Sequence, residues 1–175
     1  MKLSPYINKL ENSKEYKEFI TEHANAFAVS GFFVLDFENK KNIHQIDFYV
    51  PSAKKVAAFT LDSRVTLKML NLMGKKIPEK LDTKIKIDLD ALKGIVTDEM
   101  RNRGISEDIK KMIALIQTID GKRIWNVNCV LSGMDILKSH VDDESKTVLR
   151  LERLSLLDIM QHVPTQQAAV KDSGK

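Results

Sequence analysis

Cys129 and His140 are the only cysteine and histidine that lie close together in this 175-residue chain. On adjacent strands such a pair could form a nucleophile, with the imidazole taking the thiol proton. The surrounding alternation argues against it. Trp125, Val127, Cys129 and Leu131 alternate with Asn126, Asn128 and Ser132, so the thiol points inward. Leu137 and Val141 take the inward face of the next strand and turn His140 outward. Asp36 and Asp47 could face each other across neighbouring strands as an acid–base carboxylate pair, or stand apart as ordinary strand residues. The run Asp142-Asp143-Glu144 has the composition of a calcium site. It lacks the alternating oxygen ligands and central glycine of an EF-hand loop, and it reads as a solvated turn. His23, His44 and His162 have no metal-ligand spacing, and no HExxH occurs. The runs "GKK" at 74–76 and "GKR" at 121–123 have single glycines and no Ser or Thr after the lysine, so neither is a phosphate loop. These residues imply no catalytic constellation, no cofactor and no metal.

The elements that would position any site follow from periodicity. Ser13 can cap a helix over 13–25, with Tyr16, Phe19, Ile20 and His23 on one face. Strands are expected at Phe27–Phe37, His44–Val50 and Val56–Leu61, with Pro51 ending the second. A connecting region from Asp62 to Asp88 holds the apolar "VTLKMLNLM" and a short strand "KIKID". A helix follows, capped by Asp88 or Asp90 and ended by Gly104, with Leu92, Ile95, Val96 and Met100 as its buried stripe. Ser106-Glu107-Asp108 then reads as a helix start, and Ile109, Met112, Ile113 and Ile116 as its stripe. Strands at 123–132, around 137–141 and from Val148 complete the pattern, with a closing helix "LSLLDIMQHV" and a disordered tail from Pro164.

Composition sets the class. Apolar residues make up 43% and charged residues 30%, enough for a real core under a well-solvated surface. The net charge is +4 and the pI near 9.0, with lysines scattered rather than gathered on one evident face. The lone cysteine excludes an internal disulfide or a zinc site built from cysteines and suits a reducing, cytoplasmic compartment. The N-terminal residues lack the apolar core of a signal peptide, and no stretch approaches a membrane span of roughly 20 apolar residues.

The same order of elements recurs. Shifting the first helix by about 93 residues places Tyr16, Phe19, Ile20 and His23 on Ile109, Met112, Ile113 and Ile116, and Phe32 and Val34 on Trp125 and Val127. In "WNVNCVLSGMDILKSHVDDESKTVLRLE", the Trp125-x-Val127 strand, the hairpin and the return strand resemble the PepSY arrangement. "IDFYVPSAKKVAAF" is similar to its return hairpin, although both copies lack the turn glycine. The wider architecture resembles cystatin-like folds, and the lysine-rich style resembles that of archaeal proteins with no assigned function. The resemblance implies binding and regulation rather than catalysis.

The resulting expectation is an α+β chain of two tandem helix–three-strand units with antiparallel sheets, joined by a connecting strand and helix. Residues 1–75 form the first unit, 76–105 the connection, 106–163 the second unit and 164–175 a tail. "GFFVLDF" is apolar on both faces, so both faces of its strand should be covered, in a monomer by preference over a homodimer. The expected role is a non-catalytic interaction module, with Phe32, Val34 and Tyr49 as its candidate surface and a protein partner. The alternative is a basic factor associated with RNA or DNA.

Overall fold

The computed structural model describes residues 3–72, 74 and 76–155. The chain begins with two short helices, α1 (Ser4–Asn12) and α2 (Lys14–Glu22). Pro5 suits the first turn of α1, where its missing N–H is not needed. Ser13 caps α2 as its position implies, accepting the Tyr16 amide on Oγ at 3.2 Å. A meander of four strands follows: β1 (Phe27–Asp36), β2 (Ile43–Val50), β3 (Lys55–Thr60) and β4 (Thr66–Asn71). After a long connection come α3 (Leu89–Asn102) and a second meander, β5 (Ile109–Ile119), β6 (Lys122–Leu131), β7 (Ile136–Asp142) and β8 (Val148–Leu154).

The eight strands make one antiparallel sheet in the order β4-β3-β2-β1-β5-β6-β7-β8. This overturns the expected pair of helix–three-strand units. The two meanders are joined edge to edge through β1 and β5, with Ser30 opposite Gln117 and Asp36 opposite Lys111. One continuous core lies between this sheet and the helices. The offset of about 93 residues has no counterpart in the structure. It sets Phe32 on Trp125, yet Phe32 faces away from the helices beside Leu115, while Trp125 lies fully buried on the helix side beside Ile116.

The expected helix at Ile109–Ile116 is strand β5, and its misreading has a physical cause. The ladder between β5 and β6 slips between Ile109 and Lys111, which is a bulge. Beyond the bulge the inward residues are Met112, Ala114 and Ile116, at strand spacing. The inserted residue stretches the first interval to three, so the apolar positions 109, 112, 113 and 116 mimic a helical stripe. The short strand expected at "KIKID" is absent too, because the Lys86 and Ile87 amides bond a carboxylate instead of a neighbouring strand. Conversely, "VTLKMLNLM" supplies strand β4, for which no strand was anticipated.

Helix α3 matches its expected stripe, with Leu92, Val96 and Met100 buried and Ile95 half-buried. Asp88 occupies the cap position but accepts from the Leu3 amide at 3.2 Å, tying the chain start to α3. At the far end Gly104 adopts φ +73°, and the Gly104 and Ile105 amides bond Arg101 O and Met100 O at 3.0 and 2.9 Å. This is the six-to-one and five-to-two closure of a Schellman motif, with Met100 and Ile105 both buried beneath it. Gly31, in the middle of β1, leaves room for the core instead. A Cβ there would lie 2.9 Å from Phe33 Cε2 and 3.1 Å from Ile116 Cγ2. No helix of the described residues is long and apolar enough to cross a membrane. The closing helix expected from Leu154 lies outside the described residues beyond Ser155, as does the tail from Pro164.

Candidate interaction face of the sheet

All three helices pack on one face of the sheet, so alternate strand residues divide between a core side and an open side. On β1 the core side takes Phe33 and Leu35 and the open side Ser30, Phe32 and Val34. Of the two faces of "GFFVLDF", the helices cover the one with Phe33 and Leu35, while Phe32 and Val34 are half-buried and no layer of the described residues lies on them.

The register gathers an apolar centre on this open side. Phe32 stands opposite Leu115, and Val34 stands between Ile43 and Ile113. Uncharged amides flank these residues across the strands, and the Asp36–Lys111 ion pair closes one end. Gln45 lies opposite Phe32, while Asn126 and Asn128 lie opposite Leu115 and Ile113. Two of the three candidate surface residues, Phe32 and Val34, thus belong to one patch. Tyr49 does not. It shares their side of the sheet but is 4% exposed at the far end of β2, with its ring edge-on to Phe27 at 5.6 Å. Sequence reasoning missed Ile43, Ile113 and Leu115. The last two were hidden by the helical reading of β5, and "MIALI" is apolar throughout, so no local alternation marks which of its residues face outward.

Asp47 lies beside this patch. It accepts from Ser30 Oγ and Gln45 Nε2, both at 2.8 Å. Burial raises its carboxyl above the ordinary 3.8, and the two hydrogen bonds pull the other way. Of the two alternatives for Asp36 and Asp47, the pair does not form. Asp36 lies at the opposite end of β1, where the Asn39 amide bonds it at 2.8 Å. With the Asn39 side chain and Lys111, this holds it at about 2. A carboxyl with a raised folded-state value favours folding below its unfolded value, and that advantage is lost as pH rises through the folded value. Asp47→Asn, which cannot ionise, should therefore unfold at higher urea than the parent at pH 7, with the gap closing below about pH 4. Urea midpoints at both pH values check this.

The nucleophile candidates are separated by the sheet itself. Cys129 is fully buried on the core side, and burial pushes its thiol up to about 12. His140 is on the open side, opposite Asn126. A different histidine does meet a carboxylate. His44 Nδ1 lies 2.8 Å from Asp62 Oδ1, but the imidazole is buried on the core side with the Tyr6 ring stacked on it at 4.0 Å. It docks α1 rather than facing a cleft.

The turn after β7 also departs from its reading as solvated. Asp142 and Glu144 are accessible, but Asp143 is 0% exposed. Its carboxylate accepts from the Lys86 amide at 3.0 Å, the Ile87 amide at 3.0 Å, Trp125 Nε1 at 3.1 Å and Arg123 Nε at 2.9 Å. Above it opens a cleft of about 430 Å³ lined by Lys80, Asp82, Lys122, Arg123, Asp142 and Glu144, among others. Arg123 also reaches Asp82 and Glu144 at 3.4 and 3.2 Å. With three cations set against three carboxylates, this cleft has no excess charge with which to hold an anion. No cluster of metal ligands occurs among the described residues.

No family model matches the chain, and no curated protein does. Among solved structures, it is similar to the crystal structure of a "putative lipoprotein" from Clostridium difficile 630. The TM-score is 0.56 at 14% identity, over 79% of this chain and 90% of that one. At this identity the likeness concerns the fold alone.

Proposed function

We propose that the protein is a non-catalytic interaction module that binds a protein partner through the open face of its sheet. The observation that carries this reading is the apolar centre of Phe32, Val34, Ile43, Ile113 and Leu115, bordered by Gln45, Asn126 and Asn128. An apolar middle depleted of charge with a hydrogen-bonding rim is the anatomy of a protein interface. A phosphate polymer would need free cations at the centre of this face, where the strands present amides and Lys111 is paired with Asp36. Asp47, held on the same face with its ionisation disfavoured by burial, is the kind of residue that stability alone does not select. The PepSY resemblance, which implies binding and regulation, points the same way. The buried, unpaired Cys129 suits a reducing compartment such as the cytoplasm.

The test places the photocrosslinker p-benzoylphenylalanine at position 32, in cells of the source organism. A single protein adduct should form, and it should disappear in an Ile113→Lys background whose circular dichroism is unchanged. The partner, once purified, should bind the parent chain at least tenfold more tightly than the Ile113→Lys variant. An adduct with nucleic acid or with a second copy overturns the reading. So does the lack of any adduct, or one indifferent to Ile113→Lys.

A further inference from the structure

The two edges of the sheet are built differently. At β8 the ladder slips between His140 and Val141, and Arg150, Glu152 and Arg153 lie along the strand. Bulges and charges are the usual devices that stop an edge from pairing further. At β4 they are nearly absent. All six residues pair with β3 in unbroken register, there is no proline, and Lys68 is the strand's one charge. Every residue of β4 is exposed, including Leu67 at 38%, Met69 at 38% and Leu70 at 37%.

The direction of its free hydrogen bonds follows from the ladder. The Leu61 amide donates to His44 O, so Leu61, Phe59, Ala57 and Lys55 direct their backbone groups to β2. Thr60, Ala58 and Val56 therefore bond to β4, through Thr66, Lys68 and Leu70. The N–H and C=O of Leu67, Met69 and Asn71 point away from the sheet, and none of the described residues takes them up.

The charge around this edge is one-sided. Among the described residues between Phe48 and Pro78 stand Lys54, Lys55, Arg64, Lys68 and Lys76 against a single carboxylate, Asp62, which is engaged with His44. Lys54, Lys55, Arg64 and Lys68 are exposed and make no ion pair with the described residues. A second copy paired through its own β4 would bring these cations together. We infer that β4 is an acceptor edge for an extended, acidic segment of another protein, added as a ninth strand. This site is separate from the open face. On the helix side, Leu67 and Met69 beside the buried Phe59 and Ala57 fit apolar residues of the added strand. On the open side, Lys68 fits a carboxylate. The recognised pattern is thus apolar and acidic residues in alternation, held by main-chain bonds.

The probe is a fluorescein-labelled peptide of four Val-Glu repeats, followed by anisotropy at low salt. Saturable binding is expected, with at least a tenfold loss when alternate peptide amides are N-methylated. Met69→Pro removes one outward donor and leaves the β3 ladder intact, and it should cause a similar loss with unchanged circular dichroism. Lys68→Glu should weaken binding about fivefold and favour a Val-Lys peptide instead. No saturable binding, or binding that ignores both N-methylation and Met69→Pro, overturns the proposal. If a uridylate decamer binds and Met69→Pro leaves that binding unchanged, the edge is a phosphate surface and the proposal fails. A doubling of mass in sedimentation that Met69→Pro abolishes would show β4 pairing with itself and overturn it equally. Should Met69→Pro fail to fold, the N-methylated peptide decides the matter on the parent chain.

Discussion

Asp143→Ala should destabilise the protein by about 3–5 kcal/mol, the range for removing one member of a buried, hydrogen-bonded charge pair. The loss is large because four donors would be orphaned together. The Lys86 and Ile87 amides, the Trp125 indole and the Arg123 guanidinium all converge on this one fully buried carboxylate. Asn would keep an acceptor but turn an N–H toward donors, so Asp143→Asn should recover only part of the loss. Urea unfolding of both variants measures the size of the effect. Hydrogen exchange locates it: Lys86 and Ile87 should lose protection before the strands do, because their amides have no strand partner. Added salt should change the parent's stability little, since a pair with one member at 0% exposure is poorly screened.

The second large effect is expected at Phe59. Its ring is 0% exposed and lies 5.1 Å from Phe19, 5.6 Å from Phe48 and 5.8 Å from Tyr16, all tipped toward edge-on contact. Phe19 and Tyr16 belong to α2, so this ring cluster is what holds that helix to β2 and β3. Phe59→Ala should lower stability by about 3–5 kcal/mol, and Phe59→Leu by about a third of that. Far-ultraviolet dichroism at intermediate urea should then show helix signal lost ahead of sheet signal. Coincident loss in the Ala variant would mean that α2 is held mainly from elsewhere.

Much of the local structure was legible because it rests on nearest neighbours. Ser13 announces its helix, Gly104 ends another, and "IWNVNCV" alternates cleanly enough to place Trp125 and Cys129 inside. What failed depended on partners distant in the chain. The bulge near Lys110 is defined only by β6, and without it the apolar spacing of β5 copies a helix. The burial of Asp143 depends on amides more than fifty residues away, so an acidic triplet in a turn looked solvated. Of the candidate surface, Phe32 and Val34 were visible from alternation within β1. Ile113 and Leu115 needed the β1–β5 pairing, which no local pattern encodes.

That pairing also has a consequence in time. Every other neighbour in the sheet comes from the next strand along the chain, whereas β1 must wait for β5. On a ribosome adding roughly 5–20 residues per second, the roughly seventy residues between them take several seconds to emerge. Throughout that interval β1, the most apolar strand of the first half, has β2 on one side and a bare hydrogen-bonding edge on the other. The nascent chain is therefore most open to wrong pairing in mid-synthesis, and slowing translation between Asp36 and Ile109 would lengthen that exposure rather than help the fold.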